Sequence, residues 1–124
     1  MTAAIKESRY QAVKNNQEYF LEFDFESKKF WTDSPSLSDE ERALAKKKSF
    51  SLPSDVQVID IVFKGGEYKT SGEASIRFSK KGYVIPAVIH LGSDDGRKFT
   101  FVLSPFLGSV NILENYIQIG DVKL

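Results

Sequence analysis

Hydrophobic positions recur along this chain with two different periods. Over residues 3–18, Ile5, Ala12 and Val13 fall close to one helical face, with Arg9 along its border. Lys6, Glu7, Lys14 and Gln17 take the opposite side. That spacing predicts a helix with a thin, partly alanine stripe. Such a stripe suits a helix lying on a sheet along one side, or the tail of a longer helix. From Phe20 the period drops to two. Phe20, Leu21, Phe23 and Phe25 interleave with Glu22, Asp24 and Glu26, Ser27-Lys28-Lys29 reads as a turn, and Phe30-Trp31-Thr32 as a partner strand. The pattern predicts a β-hairpin.

Residues 33–48 carry the fewest core-forming side chains. Asp33-Ser34-Pro35-Ser36 is loop chemistry. Ser38 followed by Glu41 matches a capping box, because the serine hydroxyl can accept from the amide three residues on. Asp39, Glu40 and Glu41 would then sit at the positive end of a short exposed helix, and Lys46, Lys47 and Lys48 at its negative end.

From residue 50 the pattern is strand after strand. Phe50-Ser51-Leu52-Pro53 leads into Val56, Val58, Ile59, Ile61 and Phe63, and Gly65-Gly66 turns the chain. Glu73 to Ser79 alternates through Ala74, Ile76 and Phe78, and Lys80-Lys81-Gly82 turns into an apolar stretch from Tyr83 to Leu91. Asp94-Asp95-Gly96 carries an Asp-Gly hairpin signal. Phe99, Phe101 and Leu103 follow, then Val110, Ile112 and Leu113 after Gly108, and a last strand is expected over Tyr116 to Ile119. Short strands parted by turns at about 8–12-residue spacing predict two packed antiparallel sheets. One helix followed by many strands gives the α+β class. We expect a single domain over residues 1–124, helical to residue 18 and mostly β from 19.

Composition narrows the function classes. A length of 124 residues suits one core. Ten Phe against one Trp and one Met favour strands. Seventeen basic and seventeen acidic side chains leave no net charge, against the basic excess of a general nucleic-acid binder. The absence of cysteine excludes a disulfide framework, a thiolate zinc site and a Cys nucleophile. No run of about 20 apolar residues is present for a membrane span, and no signal peptide is visible at Met1-Thr2-Ala3-Ala4.

Candidate chemistry is sparse. His90 is the single histidine, with Ser93, Asp94 and Asp95 close by. A Ser-His-Asp arrangement needs all three within hydrogen-bond reach in a pocket. Here a strand-end histidine followed by solvent-facing turn residues is the simpler reading. Asp24 with Glu26, Asp39 with Glu40 and Glu41, and Asp94 with Asp95 match no calcium-loop spacing. Gly65-Gly66 and Gly92 to Gly96 match neither phosphate-loop pattern. No cofactor is expected. Trp31 beside Phe30 is a candidate binding aromatic, because Trp is enriched at interfaces. More often such a pair puts one ring in the core and one at the rim.

The order of short motifs resembles a known family. Ile76-x-Phe78-x-x-x-Gly82, an apolar strand and a turn precede Phe101-Val102-Leu103-Ser104-Pro105-x-x-Gly108-x-Val110. Earlier come Ser8-Arg9-x-x-Ala12-Val13, the Phe20–Thr32 hairpin and Leu52-Pro53-x-x-Val56-x-Val58. Over most of residues 5 to 113 this resembles the globular domain of H-type minor pseudopilins of type II secretion and their type IV pilus relatives. The resemblance implies a pilin-like β-sandwich and a structural role, not catalysis. It further implies other pseudopilin subunits as partners, and a periplasmic domain anchored in the inner membrane by a preceding helix. That family opens with a leader, a Glu near the mature start and a long apolar helix. None of these is in the chain, so the expectation is that the chain starts inside that helix.

The surfaces expected to meet partners are the loop 33–48 and the turn 92–97, with Trp31, Lys46, Lys47, Lys48, Asp94, Asp95 and Arg97 as candidate contact residues. Two alternatives stand beside this reading. A DNA-uptake minor pilin would need Lys80-Lys81 and Arg97-Lys98 to meet in one basic patch, and the neutral total charge disfavours it. A β-sandwich ligand-binding domain would bury a small molecule between its sheets.

Overall fold

The computed structural model describes residues 1–105 and 110–122. The first helix, α1 (Thr2–Asn15), buries Ala4, Ile5, Ser8 and Ala12, a stripe of one large and three small side chains along one face. Small side chains bring the helix axis close to what lies beneath. Ser8 Oγ donates to the Ala4 carbonyl at 2.9 Å and lies 3.1 Å from Thr32 Oγ1, so its hydroxyl is satisfied inside the contact. The expected apolar stripe is therefore shifted: Val13 is 48% exposed, and Ser8 holds the buried place. The helix also ends earlier than residue 18. Asn16 adopts a left-handed conformation, with φ 52°, and the Gln17 amide bonds back to the Ala12 carbonyl at 3.1 Å. Asn tolerates that conformation better than most residues.

Among the described residues nine strands follow: β1 (Tyr19–Asp24), β2 (Lys29–Asp33), β3 (Phe50–Ser51), β4 (Val56–Phe63), β5 (Tyr68–Lys69), β6 (Glu73–Phe78), β7 (Ala87–Ser93), β8 (Lys98–Leu103) and β9 (Asn111–Glu114). The second helix, α2 (Asp39–Lys47), lies between β2 and β3. The strands form two antiparallel sheets, ordered β3-β2-β1-β6 and β5-β4-β7-β8-β9. Leu21 and Phe23 of β1 share a face with Ala74, Ile76 and Phe78 of β6. That face, Ile5 and Ala12 of α1, and Val58, Ile61, Ile89, Leu91 and Leu103 of the second sheet make one continuous core. This is the α+β architecture expected from the pattern.

Three expected strands differ in detail. The apolar stretch from Tyr83 becomes β7 only at Ala87, because Pro86 has no N–H to give a ladder; before it, Val84 makes a lone bridge to Phe78. Phe50 and Ser51 do not run on into β4 but pair with Phe30 and Lys29 in the first sheet. The strand expected over Tyr116 to Ile119 does not form: residues 116–118 are irregular and Ile119 opens a 3₁₀ turn, Ile119–Asp121. Gly108 of the Gly-x-Val motif lies outside the described residues.

Candidate functional site

One strand breaks the usual rule for antiparallel sheets. β7 is buried on both faces from Ala87 to Gly92, although such sheets ordinarily keep one face in water. Ala87, Ile89 and Leu91 face the core, whereas Val88 and His90 point the other way. A polar cluster covers that outer face. The chain leaves β9 through Asn115, whose φ of 72° turns it sharply, and residues 115–118 lie across the sheet.

Three side chains of the sheet, Thr100, His90 and Asp60, hold this segment, the last through the segment's own Tyr116. Thr100 Oγ1 donates to the Asn115 carbonyl at 2.8 Å and accepts from the Ile117 amide at 2.9 Å. His90 Nε2 meets the Ile117 carbonyl at 2.7 Å, and His90 Nδ1 meets Asp60 Oδ1 at 2.5 Å. The Tyr116 hydroxyl donates to Asp60 Oδ2 at 2.6 Å, and its ring stacks on the His90 imidazole with centroids 3.6 Å apart. Accepting that hydroxyl, the Asp60 carboxylate pushes Tyr116 up to about 12, and burial adds in the same direction.

A β-bulge aims Asp60. Val58 pairs with Leu91 and Asp60 with His90, so one extra residue, Ile59, is inserted in β4. Without it, strict alternation would put Asp60 on the same face as Val58, in the core. The glycine at position 92 leaves room for Ile59, whose Cδ1 would come within 3.3 Å of a Cβ there.

The strand-end reading of His90 is therefore corrected. The ring is 1% exposed, in the interior of β7, and bonded to a residue thirty positions away. The Ser93–His90–Asp94/Asp95 constellation is not assembled. The Ser93 hydroxyl instead bonds Asp95 inside its own turn. Nothing in the local sequence singled out Asp60, Thr100 or Tyr116. The available signal was a carboxylate amid the apolar run of β4. Among the described residues no three His, Cys, Asp or Glu side chains cluster closely enough to hold a metal.

The expected contact residues fall in two places. Trp31 is 9% exposed and is roofed by α2, with the Lys46 ammonium 5.3 Å from its ring centre. It is a buried seat for the helix and not an exposed binding ring; Phe30 beside it is in the core. α2 itself carries the capping box read from the sequence: the Glu41 amide donates to Ser38 Oγ and the Ser38 amide to Glu41 Oε1, both at 3.1 Å. Arg42 ties α2 to β2 through Asp33 Oδ1 at 2.9 Å. Lys46, Lys47 and Lys48 end the helix, exposed.

Asp94, Asp95 and Arg97 stand exposed at the tip of the β7–β8 hairpin. The Asp95 carboxylate accepts from the Ser93 hydroxyl and the Arg97 amide, which hold it below the usual carboxylate range. The Arg97 guanidinium lies 5.1 Å above the Phe99 ring.

Lys80-Lys81 and Arg97-Lys98 do not meet. The Phe78–Val84 bridge and the Val84 amide on the Pro105 carbonyl put the first pair by the Ala87–Leu103 end of the hairpin. The second pair sits at the Gly92–Lys98 end, about 20 Å away at the strand rise per residue. The first pair instead borders an open groove of 510 Å³, together with Glu18, Ser34, Ser36 and Arg77. No helix among the described residues is long and apolar enough to cross a membrane.

A single N-terminal helix on two antiparallel sheets sharing one core defines a pilin-like α+β domain. A solved structure with this fold is the minor pseudopilin EpsH from the Type 2 Secretion System of Vibrio cholerae, at a TM-score of 0.55 over 91% of this chain and 90% of that one. The two sequences are 10% identical, so the likeness is one of fold. No family model matches the chain, and a search of curated proteins finds no significant match.

Proposed function

We propose that this chain is the globular domain of a minor pseudopilin, a non-enzymatic structural subunit of a type II secretion pseudopilus or type IV pilus-like filament, acting in assembly and protein export. The observation that carries this reading is the fold shared with EpsH over 91% of the chain. The ordered motifs from Ser8-Arg9 to Ser104-Pro105 point the same way. Its partners are other pseudopilin subunits, and the domain works in the periplasm, anchored in the inner membrane through a helix that continues α1 towards the N-terminus. The roof of α2 over Trp31 and the tip at Asp94, Asp95 and Arg97 supply shaped, polar contact surfaces. They suit a subunit that is gripped by neighbours.

The test is genetic and chemical. A photo-crosslinking residue at position 47 or 97, introduced in the source organism, should form adducts with other pilin-like subunits. Deleting the gene should lower filament assembly and export. Normal filaments and normal export in the deletion strain would rule the reading out.

A further inference from the structure

The open groove of 510 Å³ beside Lys80 and Lys81 carries charge that the chain itself does not match. One wall is the end of β6 and the turn after it, with Arg77, Lys80, Lys81 and Tyr83. The other is Glu18 with Ser34, Pro35 and Ser36. Arg77 is taken, because its Nε donates to Glu18 Oε2. The Lys80 and Lys81 side chains are exposed and have no hydrogen-bond or ion-pair partner among the described residues. The serine hydroxyls of the far wall are used within it: Ser34 Oγ donates to the Glu18 carbonyl at 3.0 Å, and Ser36 Oγ to Gln17 Oε1. What the groove offers a ligand is therefore two ammonium groups, donors without acceptors, beside the surfaces of Pro35 and Tyr83.

The turn that carries the two lysines is tied down on both sides. Ser79 Oγ accepts from the Lys81 amide at 3.3 Å and from the Tyr83 amide at 3.0 Å. The Gly82 amide donates to the Ser79 carbonyl at 2.8 Å, and Arg9 of α1 holds the Gly82 carbonyl at 3.3 Å. A turn fixed in this way gives up little backbone freedom when something binds to it.

We infer that this groove docks a short acidic segment of a partner protein, its carboxylates meeting Lys80 and Lys81 and an adjoining apolar side chain lying on Pro35 and Tyr83. Charge complementarity selects that occupant. Among the described residues the groove sets three cations against one carboxylate, in a chain whose net charge is zero. Its volume is that of a site for a ligand of a few side chains. Nucleic acid would need a basic track along many phosphates, and Arg97-Lys98, about 20 Å away, does not continue one from here. The inference stands apart from the filament reading, because the groove and its charges belong to the isolated domain.

The experiment is an NMR titration of the ¹⁵N-labelled full chain with a blocked peptide, Ser-Phe-Glu-Glu-Phe-Ser, at about 50 mM salt, where screening is weak. The amides of Ser36, Arg77 and residues 80–83 should shift along one saturable curve, and the same peptide with glutamine for glutamate should leave them in place. The double variant Lys80→Gln/Lys81→Gln, changed only at exposed side chains, should bind the acidic peptide roughly threefold to thirtyfold more weakly, the loss of two solvent-facing ion pairs. Lys6→Gln/Lys69→Gln removes the same net charge from exposed positions on α1 and β5 and should bind as the unmodified chain does. No saturable shift at the groove amides, an equal response to the glutamine peptide, or equal weakening in both double variants would each overturn the inference. So would a short oligothymidylate or succinate binding these amides more tightly than the peptide, which would make the groove a nucleic-acid surface or a small-anion site.

Discussion

Gly82 shows how one residue fixes the contact between helix and sheet. Its φ is +85°, and a Cβ there would come 3.0 Å from Val13 Cγ2 and 3.2 Å from Arg9 Nε. Arg9 Nε in turn donates to the Gly82 carbonyl at 3.3 Å. Gly82→Ala should lower stability by about 1–2 kcal/mol from the left-handed backbone alone, with the close approach to α1 adding to it. Val13→Ala in the same chain should recover only the steric part, which thermal melts of the single and double variants would separate.

Glu22 is a second residue-scale case. Burial pushes its carboxyl above the usual range, the Ser75 hydroxyl at 2.7 Å opposes this, and the Asp33 and Glu73 carboxylates reinforce it. A raised acid binds its proton more tightly in the folded state. Its contribution is therefore most favourable at pH values below the ordinary glutamate range, and it is lost as pH rises through the folded value. Glu22→Gln should stabilise slightly at pH 7, within about 0.5 kcal/mol because the site is half exposed. Urea titrations should show that gain shrinking towards pH 4.

The elements differ in how much of their stability is local. α2 has nine residues and no buried side chain. It is held by its capping box, by Arg42 on Asp33 and by Lys46 over Trp31. A helix this short is marginal by itself. Ser38→Ala removes a cap worth about 1 kcal/mol. The loss should appear as faster amide exchange confined to α2, with the global melting midpoint nearly unchanged. Arg42→Ala should loosen the roof over Trp31 and shift its emission to the red, a clean readout because Trp31 is the sole tryptophan. The capping box was legible in the sequence because it joins residues three apart. The ring beneath α2 was not, since exposure of Trp31 depends on where a separate helix lands.

At the scale of the whole molecule, one core ties α1 to both sheets. Phe78 and Ile5 are fully buried within it. Phe78→Ala should cost about 3–5 kcal/mol and Ile5→Ala about 2–5 kcal/mol, the loss of transfer energy plus a residual cavity. Because the core is shared, calorimetry should show both variants unfolding in a single transition at lower temperature, α1 included.

The division between sequence and structure follows the range of the forces. The chain by itself determined the helix–hairpin–helix–strand order, the cap at Ser38, the Asp95-Gly96 turn and most core positions. Each depends on period or on hydrogen bonds between near neighbours. It also carried enough ordered motifs to resemble a pilin-like domain. Only the tertiary structure decided that Trp31 seats α2, that Ser8 and not Val13 is buried, and that residues 116–118 lie across the second sheet instead of forming a strand. The same holds for the contacts of Asp60 with His90 and Tyr116, which join positions 30 and 56 residues apart. Those contacts rest on strand register, and register here turns on the single extra residue Ile59. Inserting one residue reverses which side chains share a face, and nothing within a few positions of Ile59 announces that it will bulge.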